Sequence, residues 1–203
     1  MQTGSYINSN GKMTYTLSLG PLVRELPIIP IDDSTAIASF VILGDAELVN
    51  YAATAIAPKI DDIDLIVTAE AKGIPLAQQL AVELGMSRYV VLRKSKKPYM
   101  GQTLCQQVKS ITTDAKQVIY LDQANRTLLR GKKVAIVDDV ISTGNSVEAM
   151  RSLVQHAGAS VIKIAAILAE GNAAQRDNII YLNTLPIFTK AGDNYITQDP
   201  NMQ

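Results

Sequence analysis

Short, nearly unbroken apolar runs recur along this chain, and most are followed by a stretch in which apolar residues return every three or four positions. Leu65–Thr68, Tyr89–Leu92, Lys133–Val137 and Val161–Leu168 read as buried strands. Ile74–Leu84, ended by Gly85, and Ser146–Ala157 read as helices between them. Thr35–Leu43, rich in apolar and β-branched residues, reads as a further strand. Gly44-Asp45 then opens a helix over Ala46–Ala57, with Asp45 as its N-cap. Val108–Thr112 and Gln117–Leu121 read as two strands joined by a turn at Thr113–Lys116. Apolar strands alternating with helices predict an α/β fold, a parallel sheet with helices on both faces. In such sheets ligands bind beyond the carboxyl ends of the strands.

The chain ends break this alternation. Residues 1–12 are polar and read as a flexible tail. Tyr15–Leu19 and Glu25–Ile29, divided by Gly20-Pro21, predict a small hairpin. Ile179–Leu182 and Pro186–Phe188 are expected to pair with it, making a small cap from the two ends, about 13–35 and 170–190. The expectation is one domain over 13–203.

Composition narrows the classes. Nineteen basic residues balance nineteen acidic ones, so no global field favours nucleic acid or a membrane surface. The first 64 residues carry three basic and eight acidic side chains, a poor composition for a DNA-binding arm. With one cysteine, Cys105, there is neither an internal disulfide nor a cysteine-based zinc cluster, and a reducing, cytoplasmic setting follows. Cys105 reads as a loop residue. His156, the sole histidine, falls in the last turn of a helix, where it suits the dipole.

The richest chemistry lies in VAIVDDVISTGNS, residues 134–146. A buried strand runs into two adjacent carboxylates, Asp138 and Asp139, then into a run of small polar residues, Ser142, Thr143, Gly144, Asn145 and Ser146. Carboxylates accept from sugar hydroxyls or bind a divalent cation. Free amides at a helix start hold phosphate. The chain lacks G-x-x-x-x-G-K-[ST], which sets aside a P-loop NTPase, and it is too long for a phospho-receiver domain.

This stretch resembles the phosphoribosyl pyrophosphate (PRPP) signature of type I phosphoribosyltransferases. The resemblance implies that Asp138 and Asp139 hold the ribose hydroxyls and that Ser142–Ser146 cradle the 5-phosphate. Asn145 stands where many members carry a second glycine, and asparagine tolerates a left-handed backbone. TAEAKG, residues 68–73, resembles the family's pyrophosphate loop, which implies a pyrophosphate role for Ala71 and Lys72 and a cis peptide at Ala71–Lys72. LRKSKKP, residues 92–98, is similar to the basic segment of adenine, xanthine and orotate transferases, and adds Arg93, Lys94 and Lys97 to the pyrophosphate set.

The likeness spans about residues 36–170 and is nearest to the adenine/xanthine branch. It implies transfer of phosphoribosyl from PRPP to a purine, adenine first, in purine salvage, with Mg2+ as a cofactor held through PRPP and by no direct protein ligand, and a homodimer as the assembly. A xanthine transferase is an alternative, as is a PRPP sensor related to the purine repressor. Residues 98–116 match the family's flexible loop over the reacting groups. There this chain has Thr112 where adenine enzymes carry a glutamate, leaving Lys109 and Lys116 as candidates. Glu170-Gly171 falls near the expected purine position.

Overall fold

The computed structural model describes residues 13–108, 117–192 and 194–197. The predicted tail, Lys109, Lys116, Thr112 and the turn at 113–116 lie outside the described residues.

The core is a five-stranded sheet, every neighbouring pair parallel, with spatial order β10-β9-β8-β4-β5. The strands are β4 (Leu65–Ala69), β5 (Val90–Leu92), β8 (Lys133–Ile141), β9 (Ser160–Glu170) and β10 (Asn183–Leu185). Alternate side chains feed two apolar layers, as the strand period requires. Ile66, Ala135, Val137, Ala165 and Ile167 face α1 (Ala46–Ile56) and α2 (Ile74–Glu83), while Val67, Val134, Ile136 and Ala166 face α3 (Gln123–Leu129) and α4 (Asn145–His156). Leu48, Leu76, Leu80, Met150 and Leu153 are the helical anchors, none more than 1 % exposed. Each such burial contributes about 1.5–3 kcal/mol.

The chain ends build a second sheet in the order β1-β2-β3-β11-β12, all antiparallel. It comprises β1 (Thr14–Leu19), β2 (Leu22–Pro30), β3 (Thr35–Ala38), β11 (Ile187–Ala191) and β12 (Asn194–Thr197). Tyr15 on β1 meets Phe188 on β11 edge to face at 6.0 Å. Arg24 on β2 grips the α1 N-cap with two hydrogen bonds, Nε to Asp45 Oδ2 at 2.7 Å and Nη2 to Asp45 Oδ1 at 3.1 Å. This guanidinium holds the Asp45 carboxyl below its ordinary pKa. Asp45 also accepts from Leu48 N at 3.1 Å, so one carboxylate caps the core helix and fastens the cap.

Several boundaries differ from the sequence reading. Thr35–Leu43 is strand only to Ala38, because residues beyond it leave the cap for the core. Ile179–Leu182 joins the core sheet, not the cap: Ile180 bridges Ala165, and its N–H donates to Ile164 O at 2.8 Å. Asn183–Leu185, assigned to the cap, is instead the core edge strand β10. Cys105 is not in a loop but exposed on strand β6 (Leu104–Val108), which pairs antiparallel with β7 (Gln117–Leu121). The pairing therefore starts at Leu104, earlier than Val108. Helix α3 had no strong apolar period: only Leu129 is buried, and Asp122 starts the helix by accepting from Asn125 N at 2.8 Å. No helix among the described residues is long and apolar enough to cross a membrane.

Candidate active site

The core order reverses direction between β4 and β8. The chain runs from β4 outward to β5, then returns to place β8 on the other side. The loops after these two strands therefore diverge and leave a crevice at their carboxyl ends. A cleft of about 300 Å³ lies there, lined by Ala71, Lys72, Lys94, Asp138, Asp139 and Ser146 among others. Residues up to 81 positions apart in sequence, Ala69 and Met150, thus meet in one place.

Strand β8 does not stop at the acidic pair. Its ladder with β9 continues through Asp138↔Ala166 and Val140↔Leu168, since backbone pairing is indifferent to side-chain charge. Both carboxylates line the cleft, close enough to interact through their side chains. Asp139 is 5 % exposed, and its N–H donates to Asp138 Oδ1 at 2.9 Å. Burial is the main force pushing the Asp138 carboxyl up to about 7, reinforced by the Asp139 charge and opposed by Lys72.

Lys72 Nζ stands 3.0 Å from Asp139 Oδ2 and donates to Phe40 O at 3.4 Å. It thereby links the acidic pair to the segment leaving the cap. Asp139 Oδ2 is buried and makes no hydrogen bond of good geometry. The cis peptide is Glu70–Ala71, one bond earlier than expected. Glu70 N still donates to Leu92 O at 2.9 Å, so the ladder ends at Glu70, and Ala71 O already receives the helix-starting bond from Ile74 N at 3.3 Å. The bond between these two residues is where strand gives way to turn.

Glu70, assigned no role from sequence, organises the basic segment. Its carboxylate takes Arg93 Nη2 at 3.1 Å and Lys94 N at 2.8 Å. Arg93 also exchanges backbone bonds with Tyr120 of β7, at 2.9 and 2.8 Å. Gln106 on β6 receives Ser152 Oγ of α4 at 3.2 Å, and Val108, Gln117 and Ile119 form one wall of the cleft. Arg93 stands behind the cleft rather than in it. Lys97 does not line it either; its N–H donates to Met100 Sδ at 3.1 Å.

The loop after β8 turns through Gly144, whose φ of +81° suits glycine, and enters α4. Ser146 faces the main cleft. Ser142 and Thr143 face an adjoining cleft of about 340 Å³ with Glu170, Asn172, Arg176 and Ile187. Burial raises the Glu170 carboxyl above its ordinary pKa, against a hydrogen bond from Ser142 and the Lys72 charge. His156 ends α4 as read from the sequence, away from both clefts.

Among the described residues no group of three or more His, Cys, Asp or Glu side chains could hold a metal ion. The Asp138–Asp139 pair nevertheless fits a Mg2+ carried by substrate phosphates and water, which needs one or two carboxylates at most, with Asp139 Oδ2 already ion-paired to Lys72.

Comparison with known proteins decides the family. The phosphoribosyl transferase domain matches residues 45–200. The chain belongs to the phosphoribosyltransferase family. It is 37 % identical over 134 residues to a hypoxanthine/guanine phosphoribosyltransferase of Methanothermococcus okinawensis, covering 66 % of this chain and 69 % of the relative. A hypoxanthine/guanine phosphoribosyltransferase of Methanococcus vannielii is 33 % identical over 174 residues, covering 83 % and 85 %. In fold, this phosphoribosyltransferase superposes on the adenine phosphoribosyltransferase of Thermoanaerobacter pseudethanolicus with a TM-score of 0.63 at 24 % identity, over 78 % of this chain and 95 % of the other. The Saccharomyces cerevisiae adenine phosphoribosyltransferase gives 0.58 at 20 % identity, over 84 % and 92 %.

The raised Asp138 pKa gives this phosphoribosyltransferase a pH-dependent stability. An unfolded aspartate loses its proton near its ordinary value of 3.8, the folded one near 7. Between these values the folded state binds more protons, so stability falls as pH rises through that window. The melting temperature of the ligand-free protein is expected to drop from pH 5 to pH 7.5. The drop should vanish in Asp138→Asn; an undiminished drop in that variant would assign it elsewhere.

Proposed function

We propose that this protein is a purine phosphoribosyltransferase that displaces pyrophosphate from C1 of PRPP with a purine nitrogen, and that its base is a 6-oxopurine, hypoxanthine or guanine. One observation carries the reaction: a buried acidic pair, a lysine held against it and the start of α4 share a single cleft at the switch point of the sheet. The choice of base is supported by sequence relatives named for hypoxanthine and guanine at 33–37 % identity. The adenine enzymes, at 18–24 % in the fold comparison, speak for the fold alone.

In this reading Asp138 and Asp139 accept from the ribose 2- and 3-hydroxyls. The amides of residues 143–146, with the Thr143 and Ser146 hydroxyls, receive the 5-phosphate at the positive end of α4. Ala71 and Lys72 take the pyrophosphate, with Lys94 supplying positive charge beside it, while Arg93 and Lys97 stand outside the cleft. Glu70, anchored by Arg93, fixes the backbone at Lys94 beforehand, which lowers the cost of placing that charge beside a leaving anion. The paired strands β6 and β7 form one wall of the cleft and limit water, which competes for the cationic sugar carbon. Mg2+ brought by PRPP beside Asp138 and Asp139 would neutralise the departing pyrophosphate. Protein groups orient and stabilise charge; none needs to form a covalent bond to substrate.

The test is pyrophosphate release from PRPP and Mg2+ with each of hypoxanthine, guanine, xanthine and adenine. Hypoxanthine or guanine should exceed adenine by about 100-fold or more in kcat/KM, the margin expected when a site's polar groups match one exocyclic pattern. Adenine as the best substrate would restore the adenine assignment. PRPP binding without release from any base would make the protein a sensor.

A further inference from the structure

Arg176, in the turn after β9, was not singled out by any motif, yet it leans on the phosphate loop. A Cβ built on Gly144 would overlap Arg176 Nη1, so guanidinium and loop share one space. The other nitrogens are held in place: Nε donates to Asn178 Oδ1 at 3.3 Å, and Nη2 lies 3.5 Å from Glu148 Oε1. Glu148 also pairs with Arg151 at 3.5 Å, so its single negative charge is shared between two guanidiniums. The trio keeps a net positive charge beside the first turn of α4. The side chain is 27 % exposed and lines the same cleft as Ser142 and Thr143. Glu170 in that cleft is engaged by Ser142.

We infer that Arg176 is a ligand of the 5-phosphate, adding a guanidinium to a subsite otherwise made of amides and hydroxyls. The inference rests on the PRPP reading above. Two partners fix the orientation of the fork and leave Nη1 over Gly144, the residue at which the loop turns toward α4. A planar guanidinium suits phosphate oxygens better than an ammonium does.

Calorimetric binding of ribose 5-phosphate and of pyrophosphate, measured separately, tests it. In Arg176→Gln, ribose 5-phosphate affinity should fall by about 10–100-fold, the loss expected for a charge-assisted hydrogen bond. Pyrophosphate affinity should stay within about twofold, since removal of a distant contact leaves an independent subsite intact. Arg176→Lys, which keeps the charge and loses the fork, should fall between. A lowered melting temperature with unchanged ribose 5-phosphate affinity would make Arg176 a brace for α4 and overturn the inference. Equal loss of both ligands would overturn it too. A wild-type protein that binds neither ligand would remove the PRPP reading itself.

Discussion

Asp138→Asn combined with Asp139→Asn is expected to abolish PRPP binding while the fold persists. Asparagine has nearly the same shape, so the β8–β9 ladder through position 138 is undisturbed. What disappears is the negative charge that accepts from ribose hydroxyls. Each charge-assisted hydrogen bond contributes about 1.5–3 kcal/mol, so losing both acceptors should weaken PRPP by about 100-fold to 10,000-fold. Stability should move the other way. The Asp138 carboxyl sits in a buried place that favours its neutral form, and a neutral amide escapes that penalty above pH 7. A rise or no change in melting temperature alongside lost PRPP binding is the signature of a group kept for function. Normal PRPP binding by the double variant would sink the site assignment.

The second large effect is expected at Gly73. Its φ is −71°, which any residue adopts, so the need for glycine is spatial. A Cβ there would overlap Thr68 Oγ1 and stand 3.0 Å from Asp138 Oδ1. Helix α2 therefore starts closer to β4 and β8 than any side chain allows. Gly73→Ala must push α2 off the sheet at the floor of the cleft, at a cost of about 1–3 kcal/mol. For a domain of this size that is about 2–4 °C in melting temperature per kcal/mol. PRPP affinity should fall at least about tenfold, because Lys72 and Asp138 lose their spacing. Thr68 offers a check. Its buried hydroxyl has no hydrogen-bond partner among the described residues, so Thr68→Ala sacrifices little. Adding Thr68→Ala to Gly73→Ala should recover part of both losses. If the double variant is as impaired as the single one, the overlap is not the cause.

The sequence was most readable where chemistry and periodicity coincide. VAIVDDVISTGNS carries strand, acids and loop in thirteen consecutive residues, and the structure puts that stretch at the end of a central strand. Asp138, Asp139, Lys72 and Lys94 come together as their motifs suggested. Glu70 escaped because its partners Arg93 and Lys94 arrive only through β4–β5 pairing, which no local pattern encodes. Arg176 escaped because its meaning depends on Gly144, thirty-two positions earlier. The cap was half legible: the β1–β2 hairpin announced itself through Gly20-Pro21, whereas Ile179–Leu182 has the same apolar character whichever sheet it joins.

The β3–β11 pairing brings Thr35–Ile37 against Ile187–Thr189. During synthesis the first three strands of the cap emerge long before their fourth partner, and β3 presents an unpaired edge until β11 follows. The intervening chain can meanwhile assemble the parallel sheet. Closing so long a loop costs little more than closing one half its length, because the entropy grows only logarithmically. The cap should thus dock as a late event onto a core that already exists. A ribosome-stalled chain ending at Leu185 would carry the acidic pair, the lysine and the phosphate loop with only the N-terminal part of their cover.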